Sequence, residues 1–88
     1  MELEQCRKEI DRIDRELTKL LEERMKVVAL VGAYKKEHHM EVFDPRRERL
    51  VLDKIANLAV DKELAPYLQR IYHCIMDESK DYERTYME

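Results

Sequence analysis

LEQCRKEIDRIDRELTKLLEERMKVVALVGAY, residues 3–34, decides the fold. Along it Leu3, Cys6, Ile10, Ile13, Leu17, Leu20, Arg24, Val27, Val31 and Tyr34 recur at alternating spacings of three and four. That rhythm keeps one stripe of a helix apolar, and its persistence predicts a single long helix from residue 3 to about 35. At 1.5 Å per residue such a helix extends roughly 50 Å, whereas a compact domain of about 100 residues has a radius of gyration near 13 Å. The rod overshoots any globule its own chain can build. Its stripe calls for cover from another chain, most simply the same helix of a two-fold partner.

Beyond the rod, KKEHHMEV has no strong period and reads as a loop. Asp44-Pro45 offers an N-cap followed by proline at the first helical position, where a missing N–H costs nothing. A second helix is expected over about 45–60, with Val51, Ile55 and Leu58 on its apolar face and Leu52, Ala56 and Ala59 broadening it. Asp61-Lys62-Glu63 interrupts, and Pro66 opens a third helix to about 86. Its face reads Leu68, Ile71, Ile75, Ser79, Tyr82 and Tyr86, with Tyr72, Cys74 and Met76 alongside. The expectation is an all-α domain over residues 1–88 with a long, a short and a medium helix.

Composition agrees. The chain has 88 residues with one Gly, two Pro and no Trp, which leaves little from which to build hairpin turns. A chain this short buries only roughly 60–65% of its unfolded surface, so alone it would be marginal without a metal, disulfides or a partner. Its 17 Lys+Arg are interleaved with 20 Asp+Glu for a net charge of −3, so no basic stripe exists to neutralise a phosphate backbone and nucleic acid is not an expected ligand. No apolar run approaches the roughly 20 residues of a membrane span, and MELEQCRKEI has no signal-peptide core, so a cytoplasmic location is expected. Cys6 and Cys74 fall at apolar helical positions without CxxC or Cys/His ligand spacing. They read as buried free thiols rather than metal ligands, and His38-His39 as solvent-facing loop.

Several charged residues do not suit a bland bundle. Arg24 occupies a core position of the stripe, where its charge loses solvation unless it meets an opposite one. Alone it could fix register or snorkel. Arg7 and Lys35 flank the same stripe, and Arg7 stands 17 residues from Arg24, roughly 25 Å of helix rise. The two cannot grip one small anion within a chain, but an antiparallel partner can carry its Arg7 to the middle of the helix. Arg46 and Arg47 lie in the first turn of the second helix, where the dipole favours acids. Arg46 reads as exposed surface, whereas Asp44 and Glu48 flank Arg47 and could orient it. Ser79 interrupts the third helix's face, although a helical serine can satisfy itself by back-bonding. Glu83 reads either as a solvated glutamate near a frayed end or as a pocket group driven toward its neutral form by desolvation and a nearby anion. Gly32 weakens the helix by up to about 1 kcal/mol relative to Ala and points to close backbone approach.

Taken together, Arg7, Arg24 in LLEERMKVV, Lys35 in VGAYK, DPRRER and the Ser79/Glu83 pair resemble the all-helical chorismate mutase family over essentially the whole chain. The signal lies in the ordered set, Arg7-x16-Arg24-x10-Lys35 followed by the D-x-x-R-E of Asp44, Arg47 and Glu48. The resemblance implies an intertwined antiparallel homodimer in which each site borrows one arginine across the subunit boundary. It implies the rearrangement of chorismate to prephenate, feeding phenylalanine and tyrosine synthesis, without metal or cofactor. By resemblance, Arg24 and the partner's Arg7 grip the substrate carboxylates, aided by Arg47 and Ser79. Lys35 contacts a carboxylate and the ether oxygen, Glu48 and the backbone at Asp44 take the ring hydroxyl, and Val31, Val51 and Met76 form an apolar wall. Many members carry glutamine where Glu83 stands, so the resemblance implies a requirement for protonated Glu83. Isochorismate pyruvate lyase shares the scaffold and is the enzymatic alternative. A non-catalytic dimerising module is the other.

Overall fold

A computed structural model describes residues 1–86. Three α-helices carry the chain: α1 (Leu3–Glu37), α2 (Pro45–Leu58) and α3 (Ala65–Arg84), with a 3₁₀ turn (Lys62–Leu64) leading into the last. No strand occurs among the described residues. The all-helical expectation, in the order long, short and medium, matches this architecture. α3 packs against both α1 and α2. The principal extents are 52 × 24 × 14 Å, the longest equal to what 35 residues at 1.5 Å provide.

The helix ends follow local chemistry. Glu2 N–H donates to Gln5 Oε1 at 3.0 Å and starts α1. That helix runs two residues past the expected end, through Glu37, before the chain reverses at His39, whose φ of 55° is left-handed. Asp44 caps α2 as its residue type predicts, Oδ1 accepting from Arg47 N–H at 3.0 Å. α2 stops at Leu58 rather than 60 because Ala59 turns extended and is buried. Lys62 then takes the freed carbonyls of Ala56 and Asn57 at 2.9 and 3.1 Å. α3 ends at Arg84 rather than 86. Tyr86 N–H closes a tight turn onto Glu83 O, and Thr85 Oγ1 donates to Tyr82 O.

The inward seam of α3 keeps Leu68, Ile75, Ser79 and Tyr82 of the expected face at least half-buried and is centred on Met76, Ser79 and Glu83. Met76, Ser79 and Glu83 are buried and Tyr72 half-buried, whereas Ile71 is 55% exposed. Cys74, read as a buried thiol, is exposed, because it lies off the seam that faces α1 and α2; Cys6 is half-buried, and both are free. Gly32 is the buried residue of α1, and close approach explains it: a Cβ there would stand 3.2 Å from Glu83 Cα and 3.2 Å from Glu83 O. Ile13, Leu17 and Leu20 remain 49%, 47% and 61% exposed. Among the described residues no large side chain is fully buried, so the chain by itself does not cover its own apolar stripe.

Candidate active site

Where α1, α2 and α3 converge they enclose a cavity of about 280 Å³, sized for a small molecule. α1 contributes Arg24, Val27, Val28, Val31 and Lys35, the following loop Val42 and Asp44, α2 Arg47, Glu48 and Val51, and α3 Met76, Ser79, Lys80 and Glu83. The spacing on α1 explains its share: residues 24, 27, 28, 31 and 35 lie on one face of a 3.6-residue helix. On α3, residues 76, 79, 80 and 83 do the same.

Arg24 is half-buried and among the described residues pairs with no carboxylate. Its Nη1 donates to Ser79 Oγ, and the guanidinium lies 5.9 Å from the Tyr72 ring centroid. Ser79 Oγ in turn donates to Ile75 O at 2.7 Å, the back-bond open to a helical serine, which leaves its lone pairs to hold the arginine. Lys35 Nζ donates to Val42 O at 2.9 Å and stands 2.9 Å from Glu83 Oε1. The Lys35–Glu83 approach is an ion pair out of line for a hydrogen bond, and among the described residues Oε1 has no hydrogen-bond partner. Glu83 is 6% exposed, so the solvated alternative for it does not hold.

Glu48, in the first turn of α2, accepts from Lys80 at 2.8 Å. That bond, above all, raises the Lys80 pKa from its ordinary 10.5 in spite of the opposing desolvation. Arg47 is exposed and forms the cavity's rim, its backbone tied to Asp44. The lining therefore holds four cations and three acids. Two acids are paired with lysines and the third is the α2 cap, so among the described residues neither arginine of the lining has a carboxylate counter-ion. A half-buried, unneutralised guanidinium is costly unless an anion completes it. An anionic ligand fits this arrangement.

A family model described as chorismate mutase type II matches residues 6–84. The chain belongs to that family. Among family relatives, the chorismate mutase of Methanocaldococcus jannaschii is 28% identical over 87 residues, covering 98% of this chain and 88% of its own length. The monofunctional chorismate mutase of Enterobacter agglomerans is 35% identical over 71 residues, 80% of this chain and 39% of that protein. The bifunctional chorismate mutase/prephenate dehydratase of Aquifex aeolicus is 44% identical over 57 residues, 65% of this chain, which spans 16% of that relative's length.

Seven of the eight residues expected at a family site, Arg24, Lys35, Asp44, Arg47, Glu48, Ser79 and Glu83, line this cavity, as do Val31, Val51 and Met76 of the expected wall. Arg7 does not. It lies near the far end of α1, exposed and paired with Glu4 at 3.1 Å. Lys80 lies outside the residues that the sequence singles out, although Met76, Lys80 and Glu83 at spacings of four and three form a legible stripe. Among the described residues no His/Cys/Asp/Glu cluster could hold a metal, and no helix is long and apolar enough to cross a membrane.

Proposed function

We propose that this chain is a chorismate mutase, converting chorismate to prephenate as a homodimer whose two sites each take Arg7 from the other subunit. The observation that carries the reading is the half-buried Arg24, held by Ser79 and lacking a carboxylate, in a cavity with Lys35, Arg47 and Glu48. A dicarboxylate supplies the missing negative charge. End-to-end similarity to the Methanocaldococcus jannaschii chorismate mutase supports the same function for a chain of this size.

The reaction exchanges bonds within one molecule. The ether C–O bond breaks as a C–C bond forms, and atoms, electrons and protons balance without a nucleophile or an external acid. The site's task is to hold the reactive chair and to stabilise charge developing on the ether oxygen. Arg24 grips one carboxylate bidentately, its plane set by Ser79. Arg47 closes over a carboxylate from the rim. Lys35 keeps its ammonium aimed at the ether oxygen through its bond to Val42 O, and Glu83 lies beside it at the same end of the cavity. Glu48 receives the ring hydroxyl, and the valines of α1 with Val51 and Met76 exclude water.

Arg7 cannot join this set within its own chain, because 17 residues of helix separate it from Arg24 by roughly 25 Å. An antiparallel second α1 lying on the exposed Ile13, Leu17 and Leu20 stripe brings it there and covers the apolar surface in one step. Product analysis after incubation with chorismate tests the reading. Prephenate formation, lost by orders of magnitude in R24A, is expected. Pyruvate release from isochorismate with no prephenate from chorismate would assign the lyase instead, and no turnover of either would leave a dimerising module.

A further inference from the structure

Lys80 lines the cavity, yet the proposed chemistry gives it no contact with substrate. Its ammonium is 2.8 Å from Glu48 Oε2, and both side chains are only 17% exposed. Asp77 Oδ1, on a side chain 49% exposed, is a second partner at 3.2 Å, and the Phe43 ring centroid lies 4.7 Å away. The lysine thus bridges α3 to the first turn of α2, with the aromatic ring covering the charge on the loop side. Glu48 has two carboxylate oxygens, and the bond from Lys80 falls on Oε2 and fixes the plane of the group.

We infer that Lys80 is a positioning residue for the reaction: by occupying Glu48 Oε2 from α3, it fixes the carboxylate so that Oε1 is presented to the substrate's ring hydroxyl. This rests on the reading of the cavity as a chorismate site. Three features carry it. The bridge spans two helices and so locks a rotamer that the first turn of α2 does not lock alone. Lys80 also compensates a carboxylate that would otherwise repel a dianionic ligand, leaving it an acceptor for the hydroxyl without a net repulsive charge. Finally, Asp77 holds the ammonium from the solvent side, so the lysine is pinned between two acids and cannot turn to a substrate carboxylate in place of Arg24 or Arg47.

The ring hydroxyl takes no part in the bond exchange, so a group acting through Glu48 affects ground state and transition state alike. Such a loss appears in KM rather than kcat. Steady-state kinetics on chorismate with K80M, K80R, E48Q and the E48Q/K80M double variant test this. K80M is expected to raise KM about tenfold with kcat changed by less than about threefold, the loss typical of a charge-assisted bond. K80R, which keeps the cation, should recover most of it. In the E48Q background K80M should cost less than about twofold, because the group it acts through is already altered. Should K80M fail to fold, as judged by helical circular dichroism, K80Q keeps the aliphatic stem beneath Phe43 and is read by the same criteria. A tenfold loss that persists in the E48Q background, or a fall in kcat with KM unmoved, overturns the inference, as does a silent K80M. Wild-type protein that forms no prephenate overturns the parent reading and this one with it; prephenate from the wild type with a silent K80M removes this one alone.

Discussion

Mixing two inactive variants should regenerate activity. R7A removes an exposed side chain whose partner in its own chain is Glu4, and R24A removes the guanidinium held by Ser79. Each substitution deletes one preorganised charge, and such a loss reduces kcat by about 10²–10³, or roughly 3–4 kcal/mol. In a heterodimer, the chain carrying R7A keeps its own Arg24 and receives an intact Arg7 from its partner, while the other site lacks both. Statistical exchange of equal amounts makes about half the dimers mixed, each with one complete site of two, so the mixture should reach about one quarter of wild-type turnover. The geometry sets where the subunits cross. For Arg7 to face the α1 stretch that lines the cavity, between Arg24 and Lys35, the two-fold must pass near Thr18, beside the exposed Leu17 and Leu20. The assay is prephenate production after co-refolding, with mixed dimers verified by native mass spectrometry. Mixed dimers that form yet stay at the activity of the parents would refute the shared site, because an Arg7 acting within its own chain predicts no recovery.

Introducing Asp at Ile13 and Leu17 together should dissociate the proposed dimer and abolish turnover although neither residue lines the cavity, with sedimentation velocity and the prephenate assay as paired readouts. E83Q places an amide donor where the carboxylate stands and should keep turnover, whereas E83A should lower it; E83A at the wild-type rate would exclude a role for this side chain. G32A gains about 1 kcal/mol of helix propensity but sets a Cβ 3.2 Å from the Glu83 backbone, an overpacking cost of about 1–3 kcal/mol, so net destabilisation and reduced kcat are expected. Lys80, whose pKa Glu48 raises above 10.5, contributes its full stability below that pH and loses it as pH climbs through the higher folded-state value. The Tm gap between wild type and K80M should therefore hold through neutral pH and close in strong alkali.

Local and periodic information is legible in the sequence itself. The three-four spacing from Leu3 to Tyr34 specified α1, and Asp44-Pro45 specified the cap that starts α2. Gly32 announced a close approach, though not that Glu83 was the backbone approaching it. What escaped depends on tertiary partners. Ile71 and Cys74 have apolar side chains, but α3 turns Met76, Ser79 and Glu83 inward and leaves these two outside, a choice within the apolar face that hydropathy alone does not resolve. The end of α2 moved because Ala59 found a buried place beyond the helix. The role of Lys80 is set by an acid 32 positions away on another helix, a partner that no local pattern names.

Lys35 joins three stretches that are far apart in connectivity or direction: the end of α1, the crossover at Val42 and the last turn of α3. An ammonium has three protons and no planar fork, so anchoring one on Val42 O while Glu83 holds the charge beside it keeps the group from swinging freely. The immobilisation of a long, floppy side chain is thus settled when the protein folds and need not be repeated at each encounter. It also follows that arginine is a poor substitute here, because a flat guanidinium cannot clasp the crossover and reach across the cavity from a single centre.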